Sequence, residues 1–373
     1  MKDRLKFKNG RFTVLQVSDA QDLQHARHAM LDMLERAYDR LCPDLVVLTG
    51  DNILGNHLRD CWFIHKYLVN TKEKEYAAMQ TAIKKLVEPI EKRNIPFAMI
   101  YGNHDDVNEI TKEEQADIYR RYSRCTGLEK DDGRPECATY NIPIYSEDGK
   151  SIKYNLWMMD SSWYDKTEKK CHGYVKKEAV EWYKSKSAEL KRENGGVPVP
   201  SLMFQHIPMR ETLELIEQTD KAHASVEFKG GYYKLKDGCS GILGEFPGVT
   251  EEFDNGQLEA MKECGNIKAA VFGHDHVNLF TAKLDGIDII QTSGASMRCY
   301  GDRTRGVRLF TLYENGDYET EFYTYNDLCG RGIISQLKYF HDADDLAKAR
   351  GITAAVIGTA AAGAVLGFAL NKK

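Results

Sequence analysis

His274 and His276 lie two residues apart in Phe272-Gly273-His274-Asp275-His276-Val277-Asn278, just after the apolar run Ala269-Ala270-Val271. Two neutral imidazoles aimed at one point most often hold a metal ion, since each offers a nitrogen lone pair. Gly273 allows the close backbone bend that such convergence needs. A lone His-x-His is a weak signal. Four earlier stretches give it weight: Asp19-Ala20-Gln21, Gly50-Asp51, Gly102-Asn103-His104-Asp105 and Gln205-His206-Ile207-Pro208. Each follows an apolar run. The donors are carboxylate, carboxamide and imidazole with no thiolate, a set suited to Mn, Fe or Zn rather than a thiolate-seeking metal. They are too many for one zinc site and suit two ions sharing a bridge. A carboxylate such as Asp51 can bridge, because its two oxygens carry about four lone-pair sites.

Taken singly, these residues have ordinary readings. Asp19 reads as a turn or helix-cap aspartate, Gly50-Asp51 and Gly102-Asn103 as turns, and His206 as a structural histidine. Their common place at strand ends selects the metal reading. Phe12–Val17, Leu45–Thr49 and Pro96–Ile100 read as strands, separated by helices over His28–Leu41 and Tyr76–Arg93. That alternation predicts βαβ units and a mostly parallel sheet, with Asp19, Asp51 and Asn103 on one edge. Tyr140 to Asp160 reads as a hairpin, Lys177–Asn194 as a helix and Ser201–Gln205 as a strand that ends at His206. The glycine-rich stretch 224–256 reads as a long loop over the site. Segments 278–284, 287–292, 307–313 and 318–325 read as antiparallel strands forming a second sheet on the first. The loops 107–140 and 224–256 are expected to set specificity.

A chain of 373 residues, 42% hydrophobic and 29% charged, has the composition of a soluble globular protein. The net charge of −5 gives no electrostatic case for nucleic acid as a partner. Nine cysteines without a Cys-x-x-Cys pair read as free thiols in a reducing compartment. Met1 to Gly10 is charged and lacks an apolar core, so no secretory signal peptide is expected. Residues 341–351 form a polar linker, and Ile352 to Leu370 then runs without a charge. As a helix it would be about 28 Å long, close to the ~30 Å bilayer core. It therefore reads as a C-terminal transmembrane helix, or else as a core helix. Gly363 and Gly367 form a Gly-x-x-x-Gly, a pattern that permits a homodimer in the membrane. Together these features predict a C-terminally membrane-anchored protein with its remaining domain cytoplasmic.

Asp19-x-Gln21 (where the family has Asp-x-His), Gly-Asp, Gly-Asn-His-Asp, a later His and Gly-His-x-His occur in that order here, and the set resembles the calcineurin-like metallophosphoesterases over about residues 10–325. His206-Ile207-Pro208 and Gly273-His274-Asp275-His276-Val277-Asn278 are similar to the branch of purple-acid-phosphatase-like 29-type proteins and yeast dosage-dependent cell-cycle regulator phosphatases. The architecture expected is a four-layer α/β sandwich of two mixed sheets flanked by helices over 1–340, plus the single C-terminal helix. The resemblance implies two divalent ions, one on Asp19, Asp51 and His276, the other on Asp51, Asn103, His206 and His274. Asp51 and a water or hydroxide would bridge them. His104 would protonate the leaving oxygen or stabilise phosphoryl charge, and Asp105 would orient His104 by accepting its hydrogen bond. Gln21 stands where the commonest pattern has histidine, so it is a weaker ligand or lies outside the coordination shell. Asn52-Ile53-Leu54 follows Asp51, with no tyrosine for a coloured iron site.

The expected activity is hydrolysis of a phosphate ester substrate, a monoester first. The alternatives are a phosphodiesterase on cyclic nucleotides or nucleotide-linked lipids, and a membrane-tethered metal-binding scaffold without turnover. Asn278 and Glu245 are candidates to line the pocket. Arg298, Arg303 and Arg305 read as phosphate ligands or as solvated turn residues. His25, His28, His57, His65, His172, His223 and His341 read as surface or core residues.

Overall fold

The computed structural model describes residues 4–58, 69–105, 107–130, 133–162, 173–251 and 253–344. The βαβ reading holds at its start. Strands β1 (Arg11–Val17), β2 (Leu45–Thr49) and β3 (Phe97–Ile100) lie parallel and adjacent. Helix α1 (His28–Leu41) buries Met30, Met33, Leu34, Ala37 and Tyr38, then stops at left-handed Cys42 before Pro43. Helix α2 (Lys72–Lys92) starts a turn earlier than its apolar pattern alone predicts, because the Thr71 side chain caps it by accepting the Lys74 N–H. The stretch 107–140 contains a further helix, α3 (Lys112–Arg120), opened by a reciprocal Thr111–Glu114 capping box.

The hairpin is β4 (Tyr140–Tyr145) with β5 (Ile152–Met159). Then come α4 (Lys177–Glu193), β6 (Ser201–Gln205), α5 (Gln257–Cys264) and β11 (Ile267–Phe272). The glycine-rich stretch is not one loop. Within it, β8 (Val226–Phe228) and β9 (Gly231–Leu235) join β7 (Ile216–Thr219) in a small three-stranded sheet. β10 (Ser240–Ile242) pairs with β12 (Leu279–Leu284). Between β10 and α5 the described residues are irregular.

The last strands do not form a sheet of their own. β12 and β13 (Ile287–Gln291) extend a seven-stranded sheet in the order β10-β12-β13-β11-β6-β5-β4. β14 (Gly306–Tyr313) and β15 (Tyr318–Thr324) instead complete a five-stranded sheet, β15-β14-β1-β2-β3. β14 runs antiparallel to β1, which places Arg308 opposite Gln16. Buried Arg308 donates to the Thr292 hydroxyl at 2.9 Å, and that hydroxyl donates to Gln16 Oε1 at 2.8 Å. This polar seam needs β14 beside β1. Helices α6 (Tyr325–Cys329) and α7 (Ile333–Asp342) follow.

The layers follow from the period of two. Leu156, Met158, Leu202, Phe204, Ala269 and Val271 face the five-stranded sheet in one core. Their neighbours Trp157, Met159, Met203, Ala270 and Phe272 face α4 and α5 in another. The result is the mixed α/β sandwich of two large sheets flanked by helices. β1, β2 and β3 in one sheet, and β5, β6, β11 and β13 in the other, are each mutually parallel and end on the site. Among the described residues no helix is long and apolar enough to cross a membrane. The helix expected over 352–370 lies outside the described residues, as does most of the linker before it.

Phe204 and Phe310 meet edge to face between the sheets, with ring centres 5.7 Å apart. Phe204→Ala should lower stability by about 3–5 kcal/mol, seen as a lower urea midpoint with an unchanged slope. Phe204→Leu should recover most of the loss.

Candidate metal centre

Asp19 and Asp51 follow β1 and β2 with positive φ (50° and 47°), as do Gln21 (35°) and His274 (73°). Such a run of left-handed, non-glycine residues is uncommon and marks a site that its surroundings must hold in place. The clearance around it is just as specific. A Cβ on Gly102 would lie 2.1 Å from the Asp51 nitrogen and 2.2 Å from its Oδ1. One on Gly50, whose φ is +87°, would lie 2.6 Å from His206 Nδ1. Both glycines are therefore required by contact.

One ligand atom each from Asp19, Asp51 and His206 lies within 4.8 Å of the others, and all three residues are buried. His206 Nδ1 bonds the Thr49 carbonyl at 3.0 Å. Its Nε2 then faces Asn103 Oδ1 at 3.1 Å, Asp51 at 3.5 Å and Asp19 at 3.9 Å. His276 repeats the arrangement: Nδ1 on the Tyr300 carbonyl at 2.9 Å and Nε2 3.5 Å from Asp19 Oδ1. Carbonyls that fix Nδ1–H and leave the Nε2 lone pairs pointing inward are the usual support of metal-binding histidines. The His274 ring packs against His206 at 5.2 Å, and the His274 backbone N–H donates to Asp19 Oδ2 at 3.1 Å.

The electrostatics ask for a cation. Burial raises the Asp19 pKa. Burial opposes the charge of Asp51 too, but His206 and the bonds from His206 and His104 hold it below the usual carboxylate range. His206 is penalised by burial, yet Asp51 and Asp19 outweigh this and push it up to about 10. Among the described residues, the only ion-pair partners of Asp19 and Asp51 are imidazoles. Asp19 Oδ1 and Gln21 Oε1 are buried without any hydrogen-bond partner. Two buried carboxylates, inward-facing imidazoles and orphaned oxygens fit a bound metal.

Gln21 sits in this cluster, with Nε2 donating to Asp51 Oδ2 at 2.5 Å. His104 lies at its edge: Nε2 is 3.9 Å from Asp51, and Nδ1 is buried without a partner. Burial lowers its pKa. The expected bond from His104 to Asp105 is not made. The Asp105 carboxylate turns back and accepts the N–H groups of Gly102 (2.8 Å), Ile53 (3.0 Å) and Asn52 (3.2 Å). It ties the turn after β3 to the turn after β2, and burial with the nearby Asp51 charge pushes it up to about 7.

Other candidates are fastenings. Asn278 accepts the Gly244 and Glu245 N–H groups. Arg298 bonds Asp22 and the His25 carbonyl, Arg303 bonds Gln336, and buried Arg305 bonds the Ser296 and Cys299 carbonyls. None of the three grips the site in this arrangement. The residue sequence reasoning missed is Tyr300. Its ring stacks on His276 at 4.4 Å and 6°, and its hydroxyl reaches Glu245 at 2.9 Å. No local pattern announces it.

The calcineurin-like phosphoesterase family model matches residues 12–278. The chain belongs to that family. It is 24% identical over 287 residues to "Probable inactive purple acid phosphatase 28" of Arabidopsis thaliana, covering 72% of this chain and 62% of that protein. It is also 24% identical over 269 residues to "Phosphatase DCR2" of Saccharomyces cerevisiae, covering 69% of this chain and 39% of that one. The chain thus spans less than two thirds of either relative. The solved structure "GAP50 the anchor in the inner membrane complex of Plasmodium" superposes with a TM-score of 0.50 at 11% identity, covering 91% of this chain and 96% of that one. That likeness bears on the fold alone.

Asp105→Ala should lower stability by about 1–3 kcal/mol, since it leaves buried N–H groups without an acceptor. His104→Ala should leave stability nearly unchanged. Thermal melting of the two metal-free variants checks this, and equal melting would remove the clamp role of Asp105.

Proposed function

We propose that the protein is a metal-dependent phosphomonoesterase. One observation carries the reading: two imidazoles held at Nδ1 by backbone carbonyls turn Nε2 onto buried carboxylates, one of which keeps an unpartnered oxygen. Asp19, Asp51 and His276 would hold one divalent ion, with Gln21 near it. Asp51, Asn103, His206 and His274 would hold the other, with Mn, Fe or Zn as the ions. When bound, such ions supply an activated water nucleophile and neutralise phosphoryl charge.

The chain's own residues do the rest. Thr49 and Tyr300 keep the proton of each imidazole on the outer nitrogen. Asp105 sets the turn that carries Asn103 and His104. The His104 side chain is about a third exposed (35%), so it can meet an entering ester. Burial pulls its pKa below the ordinary 6.5, so at neutral pH the ring is neutral and donates a hydrogen bond to phosphoryl oxygen. Only at lower pH does it carry the second proton that a leaving alkoxide needs. We also read 352–370 as a membrane attachment that leaves the catalytic domain cytoplasmic, with pairing at Gly363 and Gly367; the uncharged length of that stretch supports this.

A second reading is a metal-binding scaffold without turnover, favoured by the "inactive" in the name of the Arabidopsis relative. Metal-stripped protein should hydrolyse p-nitrophenyl phosphate after addition of Mn, Fe or Zn, and His104→Ala should be slower by about 10²–10³-fold, the cost of losing one donor to phosphoryl charge. Faster turnover of bis-p-nitrophenyl phosphate would make it a diesterase. Bound metal with no turnover of either ester would establish the scaffold.

Gln21→His tests the weaker half of the site. Calorimetric titration should show tighter zinc binding in the variant, because imidazole replaces a carboxamide. Unchanged affinity would place position 21 outside the coordination shell.

A further inference from the structure

Helix α7 has its polarity reversed. It is held to the domain by Tyr339, whose ring packs on Tyr325 at 5.0 Å, and by polar bonds. The Tyr339 hydroxyl donates to the Asp302 carbonyl at 2.7 Å and accepts from Arg305 at 2.9 Å. Gln336 bonds Asn326 at 2.8 Å, and Asp342 accepts the Ala29 N–H at the start of α1. Facing outward are Ile333 (80% exposed), Ile334 (75%), Leu337 (62%) and Phe340 (39%). Their spacing places them along one side of the helix. A surface helix normally turns its apolar stripe inward; this one presents it to the outside. The other large exposed hydrophobic residues described, Val107, Val197, Ile242 and Tyr300, lie far apart in sequence, and single ones need no explanation.

The sequence beyond α7 says what covers this face. After Asp344, the last described residue, come residues 345–351 and then the uncharged stretch 352–370. That short connection can extend at most about 25 Å. Whatever 352–370 enters therefore lies close to α7. We propose that the outer face of α7 is a membrane-docking surface, which lies at the headgroup boundary of the bilayer. An interfacial helix buries its apolar face roughly 5–10 Å deep in that boundary. The inference builds on the membrane attachment read into 352–370. It also gives docking a route to the site: the Arg305 that bonds Tyr339 also bonds the Cys299 carbonyl, one residue before Tyr300, whose carbonyl holds His276.

The test uses the full chain in flotation with vesicles of phosphatidylcholine and phosphatidylglycerol. Val356→Glu with Leu366→Glu removes the uncharged stretch, so any remaining binding reports on α7. We expect this double variant to float still, and the further changes Ile334→Glu and Leu337→Glu to weaken its vesicle partitioning by roughly tenfold or more. Circular dichroism should not change when Ile334→Glu and Leu337→Glu are added to Val356→Glu/Leu366→Glu, since both α7 positions are exposed. A folded Val356→Glu/Leu366→Glu protein that stays with the soluble fraction overturns the docking surface. So does a dimer in light scattering that Ile334→Glu/Leu337→Glu breaks, which would assign the face to a second copy. Hydrogen exchange at 333–340 that is slow in the lipid-free wild type and fast in Val356→Glu/Leu366→Glu would assign it to residues 352–370, and also overturns it. If the wild type and Val356→Glu/Leu366→Glu bind vesicles equally, it is the attachment through 352–370 that fails, and the α7 surface stands.

Discussion

The Asp51 carboxylate is a buried charge at the line where two sheets meet, and much of the surrounding structure answers to it. Taking an ion out of water costs several kcal/mol after relaxation, so every lone pair it exposes needs a partner. Oδ1 accepts the His104 N–H at 2.7 Å, and Oδ2 accepts from Gln21. His206 approaches at 3.5 Å. These partners come from the turns after β3, β1 and β6, so one side chain fixes three strand ends relative to a fourth. The glycines at 50 and 102 exist because nothing larger fits beside these groups. The left-handed residues follow for the same reason: the chain must turn sharply at each strand end to aim its side chain inward.

The strands can deliver polar residues to this line because a polar seam runs beneath it. Gln16, Thr49, Thr292 and Arg308 are buried between the sheets and bond to one another. Gln16 also reaches the Phe272 carbonyl at the end of β11. A hydrophobic seam would pack as well, but it would leave the strand-end carbonyls near the site without donors. The seam therefore sets the relative position of the two sheets, and with it the spacing between Asp19 or Asp51 and His206.

Much of this was legible in the sequence. Strands that are buried on both faces appear as unbroken apolar runs, and a polar motif directly after each run places it at a strand end. That logic put Asp19, Asp51 and His206 at strand ends, where the structure brings them together. It could not assign β12–β15 to their sheets, because an antiparallel hairpin is compatible with any free edge, and only the Arg308–Thr292–Gln16 seam decides. It misjudged Asp105 because sequence proximity to His104 carries no information on which way a side chain turns. Tyr300 lay out of reach, being a stacking partner distant from His276 in the chain. Helix α3 was masked by its short length and polar composition, although Thr111 and Glu114 carry its capping signature. In α7 the usual inference from apolar periodicity to a buried face fails, since polar anchors hold it from within.

The two halves of the site are not equivalent, and the difference traces to Gln21. On the Asp51 side, His206 and Asn103 already bond each other, and the Thr49 carbonyl fixes the imidazole, so that half is preorganised before any ion arrives. On the Asp19 side, Gln21 spends its amide nitrogen on Asp51 and leaves its oxygen without a partner. His276 is the remaining imidazole there, and it is held from outside by Tyr300, itself tied to Glu245. A half built on one imidazole and a carboxamide suits zinc or iron less well than one with two imidazoles. The preorganised and the less furnished sides of the cluster thus meet at one carboxylate, Asp51, which bonds Gln21 on one side and faces His206 on the other.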